Sequence, residues 1–289
     1  MSNTGINQNV IVPEVYAELV RDKIKGKVVM SQFNKVLGDL QGEPGETLKM
    51  PSWSYIGDAT DWDISQPMDT SMMKQTEKTA TIKAIAAPGV EVRDYDNEID
   101  LGKALNEAAS QQAIAIARKL DTDTITECLA SPLKVELASA TAVTQAELLS
   151  MLQLFGDERD ASDFACLAIH SCFAPSLYGM DLFISREVTT VNAGSNNGIT
   201  YNGCIGYFLD VPVLLSDRLY DSTNQEGIIV LEKKDSISYI PKETPFSEAE
   251  RIANLRSTKL YTSLFYAMKL TADDGIVFAK KTIPVQPSV

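Results

Sequence analysis

The sequence predicts an α+β chain, and three observations predict it. Leu105, Ala109, Ala113, Ile116, Leu120, Thr124 and Cys128 fall at steps of three and four, the stripe of one long amphipathic helix. Apolar and polar residues alternate from Thr47 to Met50 and from Thr76 to Ile85, the period of strands. After residue 140 short apolar runs such as Cys166–Ile169, Val211–Leu215 and Gly227–Leu231 alternate with helical segments and Gly/Asn-rich loops. The 289 residues, 44% hydrophobic and 22% charged, form a composition that folds around substantial cores without staples.

Taken in order, Met1–Val10 is polar and lacks the basic start and apolar core of a secretory signal, which places synthesis in the cytoplasm. Pro13 opens a helix ending near Gly26, with Val15 and Leu19, then Tyr16 and Val20, at i,i+4 spacing. So short a helix has little core of its own, so it reads as an arm lying on another surface, or on its own domain.

Gly38–Gly45 marks a turn, and the two alternating runs beyond it form a hairpin read as a two-sided ribbon. Between them lies a long excursion, Gly57 to Met73, with Asp58, Asp61, Asp63 and Asp69 set among Trp62, Ile64, Met68, Met72 and Met73. Loops of this length are uncommon inside compact domains, and one so apolar calls for a covering partner chain.

Val90 and Val92 suggest a strand. Asp94, Asp96, Glu98 and Asp100 then crowd the start of the long helix, where its dipole favours carboxylates. That helix runs for roughly 28 residues, on the order of 40 Å, until Pro132. Thr144 and Glu147 have capping-box spacing ahead of Leu148, Met151, Leu152 and Phe155. Ala174–Leu182 reads as helix and Ala193–Gly198 as loop. Ser236–Ile240, Leu260–Leu270 and Ile276–Ala279 read as strands, the last two around the Asp273-Asp274-Gly275 turn. Strands near both ends of the chain are expected to pair in one domain, with residues 140–250 inserted as another.

Chemistry is hard to find in this chain. Nucleophile elbow, Walker loop, zinc-protease helix and dinucleotide fingerprint are all absent from the sequence. Gly203–Gly206 is a lone Gly-x-x-Gly, read as a turn rather than a phosphate cradle. A single His170 and the spacing of Cys128, Cys166, Cys172 and Cys204 make a poor zinc set, so four buried thiols are expected and no cofactor or metal is assigned. No run reaches the length of a membrane span. The formal charge of −13 at pH 7 argues against a surface that grips nucleic acid, so any DNA contact is expected to be weak and non-specific. An enzyme of mixed α/β structure is the remaining reading from another class, and no spacing selects a catalytic pair.

Several segments carry a resemblance. Ile11-Val-Pro-Glu-Val-Tyr-Ala-Glu-Leu-Val-Arg-Asp-Lys-Ile-Lys-Gly-Lys27 resembles the opening of tailed-bacteriophage major capsid proteins. Gly42–Asp58, Gln75–Lys83, the Ala-rich helix ending Ala117–Thr124, and Arg251–Lys280 follow in the order found in that group. The resemblance implies the Hong Kong 97-type capsid fold and a non-enzymatic subunit that assembles as pentamers and hexamers into an icosahedral head. It implies an N-terminal arm at 1–35, an extended loop and its base at 36–90, a peripheral domain with a spine helix at 91–140 and 251–289, and an axial domain at 141–250. Trp53, Tyr55, Trp62, Met68, Met72, Val15 and Leu19 become the candidate subunit contacts. The implied partners are further copies of the chain, a separate scaffolding protein, a portal and packaged double-stranded DNA. Lys49, Lys74 and Lys78 lie where some relatives crosslink, but no motif selects a pair and crosslinking is not expected. An encapsulin-like compartment, loading proteins instead of DNA, is the nearest alternative.

Overall fold

In the computed structural model, the described residues are 13–53, 75–99, 103–137, 142–156, 161–185, 203–242 and 244–283, with 57–59, 61, 64, 65, 67, 70, 72 and 73 between the hairpin strands. The helices are α1 (Pro13–Lys25), α2 (Asp94–Ile99), α3 (Lys103–Cys128), α4 (Gln145–Gln153) and α5 (Ala174–Tyr178). The first strands are β1 (Lys35–Val36), β2 (Thr47–Trp53), β3 (Gln75–Thr81), β4 (Lys83–Ala86), β5 (Val90–Arg93) and β6 (Leu133–Glu136). They are followed by β7 (Phe164–Ile169), β8 (Phe183–Ser185), β9 (Cys204–Phe208), β10 (Val211–Leu215) and β11 (Tyr220–Asp221). The last are β12 (Glu226–Lys233), β13 (Ile237–Pro241), β14 (Phe246–Ile252), β15 (Ser257–Leu270) and β16 (Ile276–Thr282).

The strands form two large sheets and one ribbon. In the six-stranded sheet β15 is the axis: β5 and β4 pair along one side of it, β14 and β13 along the other, and β1 runs parallel outside β13. Its even-numbered side chains, Leu260, Leu264, Tyr266, Met268 and Leu270, join the stripe of α3 in the main core. Its odd-numbered Ala267 and Phe265 meet Met50, Ala80 and Ile82 at the root of the β2–β3 ribbon on the other face. The period of two therefore splits one strand between two cores.

The eight-stranded sheet has order β6-β16-β12-β7-β10-β9-β8, with β11 beside β12. β7 is buried along its whole length. Cys166 and Ala168 turn toward the end of α3, whereas Leu167 and Ile169 turn toward α4 and α5. Neighbouring strands follow the same alternation, Ile228 and Val230 against Ile229 and Leu231. The α3 helix thus reaches from one sheet to the other, and its last residue, Cys128, is fully buried at the junction.

Several expectations are corrected. The Thr76–Ile85 run is not one ribbon strand: it breaks at Ile82, which is buried, and Lys83–Ala86 leaves the ribbon to pair with β15. The Asp273-Asp274-Gly275 turn does not close a hairpin, because β15 and β16 belong to different sheets. β16 pairs with β12 and β6, so the last strand joins the middle unit, while 237–252 joins the six-stranded sheet. Asp94 and Asp96 start the separate helix α2 rather than the long one. Helix α5 ends at Tyr178 and α4 at Gln153, short of Leu182 and Phe155. Gly206 lies inside β9, where a Cβ would sit 2.3 Å from the Ile184 carbonyl, so it marks close strand approach instead of a turn. Three thiols are buried but Cys172 is partly exposed. The loop read at 193–198 and the polar residues 1–10 lie outside the described residues.

Candidate assembly surface

The hairpin is built in register from Thr47↔Thr81 to Trp53↔Gln75. Its root is held at three places. Met50, Ala80 and Ile82 are buried, the Ser52 hydroxyl donates to the Thr271 carbonyl at 2.6 Å, and the Lys78 ammonium reaches Asp273 at 2.6 Å. Beyond this root no described residue of the excursion is buried, and Ile64, Met72 and Met73 are 83%, 92% and 63% exposed. Apolar side chains so far from any core of their own subunit are available to another molecule. Trp53 is the last residue of β2, whereas Tyr55, Trp62 and Met68, with Asp63 and Asp69, lie outside the described residues.

Helix α1 is the second part of the expected surface. It packs on its own domain, the blander of the two sequence readings. Tyr16, Ala17, Val20 and Ile24 are buried against α3, and the Tyr16 phenol donates to Gln112 Oε1 at 2.9 Å. Leu19 is half-buried against the same core, while Val15 is 65% exposed. Helix α1 lies on the α3 side of the six-stranded sheet, whereas the ribbon root lies on the other.

Sequence reasoning missed two further exposed apolar groups. Tyr95 and Ile99 on α2 are 72% and 60% exposed. Their i,i+4 spacing was a usable signal. Tyr178, Ile184 and Leu209 are exposed around the β8–β9 edge. The α2 group is braced by a bidentate pair between Arg251 and Asp94, at 2.6 and 2.5 Å, whose hydrogen bonds hold the Asp94 carboxyl below the usual range.

The groups shifted mainly by burial lie in cores rather than converging on an open cleft. Burial pushes Glu232 from 4.5 to about 8, and its Oε1 has no hydrogen-bond partner. Burial lowers His170, with Asp217 opposing the shift, and its Nδ1 accepts the Cys172 N–H, so the imidazole serves as a cap. Among the described residues no group of acidic, His and Cys side chains is arranged to hold a metal, and no helix is long and apolar enough to cross a membrane. What the described residues offer is exposed apolar surface for association.

No protein-family model matches the chain. It is 27% identical over 276 residues, 92% of this chain and 95% of the relative, to a protein of Staphylococcus phage phiMR11 named as a major capsid protein. Among solved structures it is similar to the capsid of cyanophage P-SCSP1u, with TM-score 0.60, 10% identity, and 89% of each chain covered. It is equally similar to a virus-like particle from Pyrococcus furiosus, with TM-score 0.60 and 11% identity over 93% of this chain and all of that one.

Proposed function

We infer that this chain is a major capsid protein of a tailed phage, a structural and non-enzymatic coat subunit. Its fold is the Hong Kong 97-type capsid fold. The observation that carries the functional reading is the near full-length sequence likeness to a phage major capsid protein, joined to an extended ribbon whose apolar residues find no cover in their own subunit. The subunits self-assemble into shells, and the product is a phage head.

In this reading the six-stranded sheet with α1 and α3 is the peripheral part, α3 is the spine, and the eight-stranded sheet with α4 and α5 is the axial part that closes pentamers and hexamers. The ribbon lies over a neighbouring subunit, with Trp53, Tyr55, Trp62, Met68 and Met72 in the contact. Val15 and Leu19 place α1 at a second contact. Packaged DNA touches the wall weakly, as the charge of −13 favours. A separate scaffolding protein guides assembly in the host cytoplasm, and a portal occupies one vertex. The encapsulin-like alternative shares the fold, but the extended sequence likeness is to a phage protein, which favours the phage reading.

The test is expression of the chain, alone and with the candidate scaffolding protein, followed by electron microscopy and light scattering. Closed shells or rings of five and six are expected. A monomer or small dimer that persists with the scaffolding protein present overturns the reading.

A further inference from the structure

Three segments carry the chain between the two large sheets, and they meet at one waist. Residues 129–132 lead from α3 to β6, 234–236 from β12 to β13, and 271–275 from β15 to β16. The Ser131 hydroxyl donates to the Ile276 carbonyl at 2.5 Å, and the Ser236 hydroxyl to the Lys233 and Gly275 carbonyls at 2.7 and 3.2 Å. The Thr271 N–H donates to the Ser236 carbonyl at 3.0 Å. A few hydroxyl and amide bonds thus fasten the waist, whereas continuous ladders hold the sheets on either side.

Glu232 lies at this waist near the end of β12, with Ile276 of β16 on one side and Cys166 of β7 on the other. It is fully buried, its Oε1 has no hydrogen-bond partner, and the Cys166 thiol approaches its Oε2 at 4.0 Å. From α3 the buried Cys128 lies within its field, with Glu127 beside that thiol and paired to Lys269 of β15 at 3.1 Å. Among the described residues no cation faces the Glu232 carboxyl, and burial alone pushes it up to about 8. A carboxylate formed there has no counter-charge and must gain water. Exchanging the few bonds of the waist for water is the least costly way to admit it.

We propose that Glu232 is the trigger of a base-sensitive joint: loss of its proton opens the waist and uncovers Cys128 and Cys166 while both sheets stay folded. In the open joint the carboxyl ionises at its ordinary value. Opening therefore becomes more favourable as pH rises from that value toward the folded one, and levels off above it. On the coat-protein reading the joint sets the angle between the peripheral and axial parts, which gives the shell wall a pH-dependent shape.

The experiment labels the thiols of dispersed full-length subunits with iodoacetamide from pH 6 to 9 and quantifies each cysteine by peptide mass spectrometry. The partly exposed Cys172 is the internal reference for thiol ionisation. Labelling of Cys128 and Cys166 relative to Cys172 rises by about tenfold or more between pH 6 and 8 in the parent, with circular dichroism unchanged. In E232Q, which cannot ionise, the same ratio changes by less than about twofold. Hydrogen exchange of the parent, corrected for intrinsic rates, tests the joint without the variant: amides of 271–275 lose protection as pH rises, and those of 257–264 keep theirs. A flat ratio in the parent, an equal rise in E232Q, or loss of protection at 257–264 together with the waist overturns the joint. All of these measurements are made on dispersed subunits, so the coat reading stands or falls separately on shell assembly.

Discussion

Met30 donates its backbone N–H to Asp121 Oδ1 at 3.0 Å, tying the segment that follows the N-terminal helix to the C-terminal half of α3. The same carboxylate accepts the N–H groups of Val29 and Ser31 and the Ser31 hydroxyl, each at 3.0 Å. One buried side chain therefore satisfies three consecutive amides where the chain passes from α1 into a 3-10 turn at Ser31–Phe33.

Asp121→Ala leaves those amides without an acceptor. The expected loss is about 2–4 kcal/mol, since each orphaned buried donor costs about 1–3 kcal/mol and part of the strain relaxes. Asp121→Asn recovers only some of it, because its amide nitrogen faces donors. Urea unfolding of dispersed subunits measures both, and an unchanged midpoint for Asp121→Ala refutes the role.

Glu232 sets a pH dependence. It is fully buried beside Cys166, whose Sγ lies 4.0 Å from Oε2, and burial holds its folded value near 8 against 4.5 ordinarily. Between those values the unfolded chain has released a proton that the folded chain keeps, so stability falls as pH rises. The slope from this group is about 1.4 kcal/mol per pH unit at most, levelling off above about pH 8. Glu232→Gln removes this contribution, and melting of the two proteins from pH 5 to 9 should show curves of different slope. Parallel curves contradict the assignment.

Glu147 closes the capping box of α4, its Oε2 accepting the Thr144 N–H at 2.8 Å, and also receives the buried Lys281 ammonium at 3.2 Å. Thr144→Ala should cost about 1 kcal/mol as a lost cap. Lys281→Met, which keeps the length of the stem, should cost about 1–3 kcal/mol, because Glu147 retains its backbone donor. Chemical denaturation measures both, and an unchanged midpoint for either variant counts against its contribution.

Trp62→Ala, or deletion of Asp61–Asp69, should abolish shell formation while leaving a subunit whose melting temperature matches the parent. The reason is that the ribbon root at Met50, Ala80 and Ile82 carries the folding contacts, whereas the excursion beyond it adds no buried residue among those described. Intact shells from either variant would show that the excursion is not an assembly contact.

The long helix, the capping box, the three apolar runs that became β7, β10 and β12, and the excursion were legible in the sequence because each is written locally, in a period or a spacing. Leu105 to Cys128 needs only its own stripe to be recognised, and Thr144 only Glu147. The partner of each strand was not legible. β15 and β16 are joined by a short turn that reads like a hairpin, yet β16 lies between β12 and β6, and the Thr76–Ile85 run divides between the ribbon and the six-stranded sheet. Alternation says which side chains share a face, and it is silent on which strand supplies the neighbouring edge. The sequence by itself determined the elements, the acidic apolar excursion and the family likeness. Only the tertiary structure decided the pairings and the burial of Glu232, because those depend on long-range packing that no local pattern encodes.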